Sequence, residues 1–307
     1  MTISGERTGH LAQIASVAAF SIGIMVQKDL TTRYPPADIL MLQFAASAML
    51  MWIICAVLGY LPKRLSEVVP GFLWGILAPG IVFLLSSTGA SRTDGVSVAL
   101  IWGIMPLIGP ILARLLLGER FHWSLPIGAM IAFSGLIVLT LDRQAIGLGD
   151  PIGNLLVLAA VLSAASGQII GRRLNTRGTP WFRLATLQVT GGLFFTAIFS
   201  SLDGSWTIPT AKDSAAFISL AYLVLGMTMV AFIGYNLALS RIQVTWIAFY
   251  SSLNPAIGTV AAVILLGALV RPLDIAGIAI IVGGVAVPYM WRIIQGRKAA
   301  LGALNIK

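Results

Sequence analysis

Only 10% of the 307 residues are charged, and the chain has two histidines and a single cysteine. Each shortage removes a class of function. Cys55 has no partner for an internal disulfide and no companions for a thiolate metal cluster. His10 and His122 fall near the ends of different apolar runs, so no metal is expected, and nothing in the chain calls for a cofactor. A glycine-rich phosphate loop followed by Lys and Ser or Thr is missing. The acidic residues, Glu6, Asp29, Asp38, Glu67, Asp94, Glu119, Asp142, Asp150, Asp203, Asp213 and Asp274, all lie between apolar runs or at their ends. No carboxylate pair therefore sits deep in one run to serve an enzyme, and none marks a proton path across a bilayer. No polar stretch is long enough to form a soluble ATPase or receptor module.

Apolar residues take up the space that charge leaves. They make up 58% of the chain and raise its mean hydropathy to +0.93, whereas soluble domains are roughly one quarter charged. They occur in runs of about 18 to 26 residues, long enough for a helix to cross a hydrocarbon core. Short alternating segments of the barrel type are absent. The expected fold is therefore an all-α integral membrane protein with ten transmembrane helices. The expected spans are 10–27, 38–59, 68–90, 94–117, 122–141, 151–171, 181–200, 214–239, 245–266 and 272–292. The first follows Arg7 as a signal peptide does, but it lacks a small-residue cleavage site and matches a later segment, so it reads as a retained span.

The formal charge of +9 is not gathered into a run that could bind nucleic acid. It follows orientation. With both termini in the cytoplasm, 14 of the 20 Lys and Arg residues lie on the cytoplasmic side, including the cluster Arg172, Arg173, Arg177 and Arg183. Arg92, Arg143 and Lys212 are among the few on the other side.

The chain also contains itself. Residues 92–138 align without a gap on 241–287, placing Arg92 on Arg241, Pro106 on Pro255, Gly109 on Gly258, Gly118 on Gly267, Gly128 on Gly277 and Gly135 on Gly284. Many shared positions are Gly or Pro, which fix backbone geometry, so the copies share a way of bending and packing helices. A weaker match runs back to Leu42-Gln43 and Leu187-Gln188. Two repeats follow, 1–146 and 147–307, each of five spans. An odd number of crossings makes the second enter from the opposite face, giving an inverted-topology repeat.

The side chains that differ between the copies are where function is sought. In span nine, Ser251, Asn254 and Gly258 share a face with Tyr250 at its edge. Asn254 precedes Pro255, whose ring and missing N–H free carbonyls one turn earlier. Its amide either caps that kink or meets a ligand. The matching face of span four carries Trp102 and Met105. Together the two faces suggest a cavity with one apolar and one polar wall, suited to a small amphipathic solute. Phe20, Ser163 and Tyr235 are further mid-span candidates, and Trp74, Tyr222, Thr228 and Asn236 are polar or aromatic positions of the same depth. Pro79-Gly80 is a candidate hinge, as are Pro106 and Pro255. Gly71-x-x-x-Gly75 and Gly167-x-x-x-Gly171 have the spacing of close helix contacts. Glu119 is out of place, because a carboxylate at a helix C-terminus opposes the dipole. It is either a latch to a neighbouring arginine or a solvated loop charge.

These residues and this architecture resemble the drug/metabolite transporter superfamily, and within it the bacterial EamA-type exporters. Pro106, Leu117-Gly118-Glu119, Gly128 and Gly135 carry the resemblance in the first half. Pro255, Leu266-Gly267, Gly277 and Gly284 carry it in the second, where Ala268 replaces the glutamate. The resemblance implies a non-enzymatic carrier in the bacterial inner membrane that exports amino acids or related small metabolites by rocking two halves. It implies a central cavity lined by spans one, three, four, six, eight and nine. Its partners would be a small-molecule substrate and the lipid bilayer, with the chain acting as a monomer. Uniport or exchange is expected. The glycines of spans five and ten would serve packing inside the monomer or a dimer contact.

Overall fold

The computed structural model describes residues 3–140, 150–203, 207, 209 and 213–304. Leu141, Asp142, Arg143, Lys212, Lys307 and the 146/147 boundary lie outside the described residues. Among those described, every regular element is helical. Among the described residues, nine helices are long and apolar enough to cross a membrane: α1 (Ile3–Leu30), α2 (Pro36–Val57), α3 (Leu65–Ala90), α4 (Gly95–Leu117), α6 (Pro151–Asn175), α7 (Trp181–Asp203), α8 (Ser214–Arg241), α9 (Val244–Leu266) and α10 (Pro272–Leu304). The tenth, α5 (Ser124–Thr140), has 17 described residues. At 1.5 Å per residue it runs about 25 Å, a little short of a ~30 Å core. This is a multi-pass membrane protein. Its outer surface carries large apolar side chains such as Leu115, Ile218 and Ile264, which only a lipid solvent accommodates in such number.

Four of the spans are interrupted, in matching pairs. α3 widens into a π turn at Ile76–Ile81, where Ala78 takes an extended conformation ahead of Pro79. α8 also widens into a π turn, at Leu223–Val230, but stays helical throughout. Moved back by 149 residues, the offset from Arg92 to Arg241, the second turn overlaps the first. α4 breaks between Trp102 and Met105, and α9 tightens into a 3-10 turn at Ser251–Leu253. Each restarts with proline in second place, Pro106 or Pro255. Proline suits a first turn because its missing N–H has no helical partner there. Both spans end on a left-handed glycine, Gly118 or Gly267, a conformation that a Cβ penalises.

α5 and α10 pack antiparallel along a seam of glycines. A Cβ added at Gly128 would meet the carbonyl oxygen of Gly284 at 2.5 Å, and one at Gly135 would meet that of Gly277 at 2.8 Å. These four are the equivalent glycines of the repeat, and the contact is reciprocal. The shared glycines thus serve packing inside the chain. The small-residue spacings also prove to be contacts: a Cβ at Gly75 would lie 2.2 Å from the Gln188 oxygen, and Gly167 and Gly171 receive Ala78 and Trp74. The main core gathers Trp74, Trp246, Phe249 and Tyr250 where α1, α3, α8 and α9 converge.

Candidate functional site

The interruption of α9 fixes the orientation of Asn254. Its backbone N–H closes the 3-10 turn on the Ser251 carbonyl, so the backbone, and not the side chain, caps the kink. The side chain is left for α1. Ser21 Oγ lies 2.8 Å from Asn254 Oδ1 and also 2.8 Å from the Val17 carbonyl. A hydroxyl has one proton, so Ser21 serves one acceptor at a time. In either orientation of the amide, one polar atom of the half-buried Asn254 points away from Ser21 and makes no bond to any described residue.

The neighbouring predicted residues face elsewhere. Tyr250 is 1% exposed, and its hydroxyl lies 2.9 Å from His10 Nδ1, with the Trp246 ring edge-on to the same imidazole. Glu6 stands 3.6 Å from the other ring nitrogen. Tyr250 therefore pins α1 to α9. Ser251 turns its hydroxyl back to the Ile247 carbonyl, 3.4 Å away. Met105 is 3% exposed and packs with Val161 and Ala165 of α6. Trp102 joins that cluster and donates its indole N–H to Ser86 Oγ of α3 at 3.2 Å. Tyr235 stacks obliquely beside Trp74, whose own indole N–H reaches the Gly167 carbonyl at 2.8 Å. Ser163 is half-buried on α6, and Phe20, next to Ser21, is 39% exposed. The structure thus joins Tyr250 and Asn254 to α1, leaves Ser251 bonded within α9, and sets Trp102 and Met105 against α3 and α6.

A second polar array was not foreseen from the sequence. Gln188 of α7 donates to the Ala78 carbonyl at the α3 interruption, 2.9 Å. Its oxygen accepts from Asn236 of α8 at 2.9 Å, and Asn236 accepts from Asn175 of α6 at 3.0 Å. All three side chains are buried. Gln43, which aligns with Gln188 in the weaker part of the repeat, donates to Thr228 inside the α8 interruption at 2.7 Å. Each π turn is thus held by the glutamine of the other half. The signal was there in the Leu-Gln pairs, but a glutamine in an apolar run carries no indication of its partner.

Glu119 is corrected in sign. It does not lie against its own helix end alone: its carboxylate accepts from Val244 N at 3.0 Å, Thr245 N at 3.2 Å and Thr245 Oγ1 at 3.0 Å. A carboxylate at a helix N-terminus agrees with the dipole. The arginine cluster works on the same face. Arg173 donates to the Leu116 carbonyl at the end of α4 at 2.7 Å, Arg172 to Leu239 at the end of α8, and Arg183 pairs with Glu67. At the opposite end, the Ser97 hydroxyl and N–H hold the Asp94 carboxyl below the usual carboxylate range. Among the described residues, no group of three or more His, Cys, Asp or Glu could hold a metal ion.

Known proteins resemble this chain in fold and in sequence. A solved crystal structure has the same fold, with a TM-score of 0.80 at 19% identity, covering 93% of this chain and 98% of that one. A "Probable amino-acid metabolite efflux pump" of Escherichia coli (strain K12) is 29% identical over 178 residues, 54% of this chain and 58% of the pump. The chain thus matches less than two thirds of that relative's length. The "Uncharacterized transporter YyaM" of Bacillus subtilis (strain 168) is 24% identical over 73% of this chain and 72% of its own. The EamA-like transporter family matches twice, over residues 7–141 and 151–290. With nearly the whole chain covered by those two matches, this protein belongs to the EamA-like transporter family.

Proposed function

We propose that the protein exports amino acids or similarly small amphipathic metabolites across a bacterial inner membrane by alternating access, without proton coupling. The observation that carries this reading is the site at Asn254. An uncharged amide with a polar atom to spare stands beside Ser21, where the equivalent spans α4 and α9 are both interrupted. Helices that restart inside a membrane offer their N-terminal N–H groups to an anionic substrate group such as a carboxylate. Asn254 and Ser21 are the polar contacts, and Trp102, Phe20 and Ser163 the further lining. Met105, Tyr235, Tyr250 and Ser251 shape the walls from behind.

The two repeats, 1–146 and 147–307, are read as inverted copies that rock about the glycine seam, bending at Pro79, Gly80, Pro106 and Pro255. The antiparallel α5 and α10 support the inversion, and the basic count supports cytoplasmic termini. Only the efflux pump's name points to amino acids. Counterflow in liposomes tests the reading, with labelled threonine, phenylalanine and lysine offered separately against an unlabelled mixture inside. Entry of at least one, lost in Asn254→Ala, is expected. No entry of any of them from folded, inserted protein sinks the substrate class, and drugs, nucleosides and sugars become the next panel.

A further inference from the structure

The two halves place the same residues in different surroundings, and the difference lies along the membrane normal. In α9 every residue of Val244–Tyr250 is buried. In α4 the equivalent stretch, Gly95–Ile101, has none buried. A Cβ added at Gly109 would meet Ala248 Cβ at 2.3 Å, whereas its equivalent Gly258 has nothing within 4 Å. The counterpart of Ala248 is Ala99, which is half-buried. The protein is therefore shut where α4 ends and α9 begins, and open where α9 ends and α4 begins.

The sequence is asymmetric at these same two places. On the shut face, the first turn of α9 follows Gln243, which makes no side-chain cap. Glu119 of the other half supplies the missing acceptor, taking both N–H groups and the Thr245 hydroxyl. On the open face, Asp94 caps α4 from within its own helix, through Ser97. The position equivalent to Glu119 is Ala268.

From this we infer that Glu119 is a one-sided gate cap. Opening its face separates a carboxylate from a helix N-terminus that has no other cap, whereas opening the Ala268 face separates nothing comparable. The protein rests shut on the Glu119 face. In the opposite state Gly258 packs on Ala99, as Gly109 now packs on Ala248, and Val244 and Thr245 leave Glu119. This rests on the alternating-access reading but needs no substrate to test.

The test is thiol labelling of the full chain in nanodiscs, where a water-soluble maleimide reaches both faces. Buried Cys55 is first replaced by alanine, and single probes are set at Ala99→Cys or Ala248→Cys. In the parent, Ala99→Cys labels and Ala248→Cys does not. Glu119→Ala raises labelling at Ala248→Cys by about tenfold, the effect of one charge-assisted cap, and lowers it at Ala99→Cys only slightly, because the resting state stays the major one. Transplanting the arrangement by Asp94→Gln with Ala268→Glu moves both probes the same way. Unchanged labelling in both variants overturns the inference. So does a rise at Ala248→Cys in Glu119→Ala that the transplant does not reproduce, because fraying of one helix end needs no change at the far face. Glu119→Gln, which keeps an oxygen but loses the charge, gives an intermediate shift. A protein that passes this test and yet carries no amino acid in counterflow would keep the gate and lose only the substrate class.

Discussion

Replacing Asn236 with leucine tests whether the buried amide array holds the bundle together. Leucine is close in volume, so the change removes hydrogen bonds without opening a large cavity. Two interhelical bonds disappear, to Gln188 Oε1 at 2.9 Å and from Asn175 Nδ2 at 3.0 Å. Asn175 keeps its bond to the Gly171 carbonyl, but the buried Gln188 oxygen is stranded. Hydrogen bonds between membrane helices average about 0.6 kcal/mol and reach about 1.7, so the expected loss is about 1 to 3.5 kcal/mol, with the stranded oxygen favouring the upper end. The assay is reversible unfolding in mixed micelles titrated with sodium dodecyl sulfate, followed by tryptophan fluorescence. Gln188→Leu supplies the second arm of a double-mutant cycle, since each single change breaks the shared bond and the double change breaks it once. The single losses should therefore exceed the double by about 0.6 to 1.7 kcal/mol. Additivity within about 0.3 kcal/mol, in variants that unfold cooperatively, would show that the two amides do not sense each other and refute the array.

Adjacent glycines should behave in opposite ways. A Cβ at Gly284 meets Ala132 N and the Gly128 oxygen at 2.6 Å, and one at Gly283 meets nothing within 4 Å. Gly284→Ala should destabilise by about 1 to 3 kcal/mol, and Gly283→Ala should stabilise by up to about 1 kcal/mol through helix propensity, both measured by the same unfolding titration. Tyr250→Phe removes the hydroxyl bound by His10 and should speed proteolysis of α1 at its Glu6 end, with Phe20→Leu as an unaffected control. Asp213, which caps α8, is held below the usual carboxylate range by the Ala216 N–H first, then by the Tyr34 hydroxyl and Arg33. A lowered folded pKa gives stability that is present above the ordinary value of about 3.9 and lost as pH falls through the folded one. The Tm gap between the parent and Asp213→Asn should therefore be constant near neutrality and close in strong acid. A gap that widens in acid would contradict the assignment.

Much of the fold can be read in the chain because lipid simplifies the problem. Apolar run length gives the spans, and Pro106, Pro255, Gly118 and Gly267 mark the breaks and ends of α4 and α9 directly. The glycines aligned at 128 and 277, and at 135 and 284, point to a close contact, although only the structure shows that they meet one another. The α3 interruption is announced by Pro79-Gly80. Its counterpart in α8 has no proline, and so it escapes notice. The candidate site is less legible. Asn254 stands out as an amide in an apolar run, yet its partner Ser21 is 233 residues away, and periodicity along one helix cannot report which face of another it meets. Glu119 misleads for the same reason: its local helix end has the wrong sign for it, while the helix end it serves begins more than a hundred residues later. Trp102 and Met105 follow the helical spacing expected of them, but that spacing does not distinguish a wall packed on α6 from one lining a cavity.

The glycine seam between α5 and α10 also bears on how such a chain tolerates change. Its two contacts, Gly128 with Gly284 and Gly135 with Gly277, use the same two repeat positions in exchanged roles. In a gene encoding a single half, one substitution would alter both contacts at once. In the joined gene each contact can vary alone, so a bulky residue at one position can be offset by a local shift while the other contact holds the register. The duplication thereby turns an all-or-nothing constraint into two separable ones, and these four glycines are where relaxation after fusion should first become visible in related sequences.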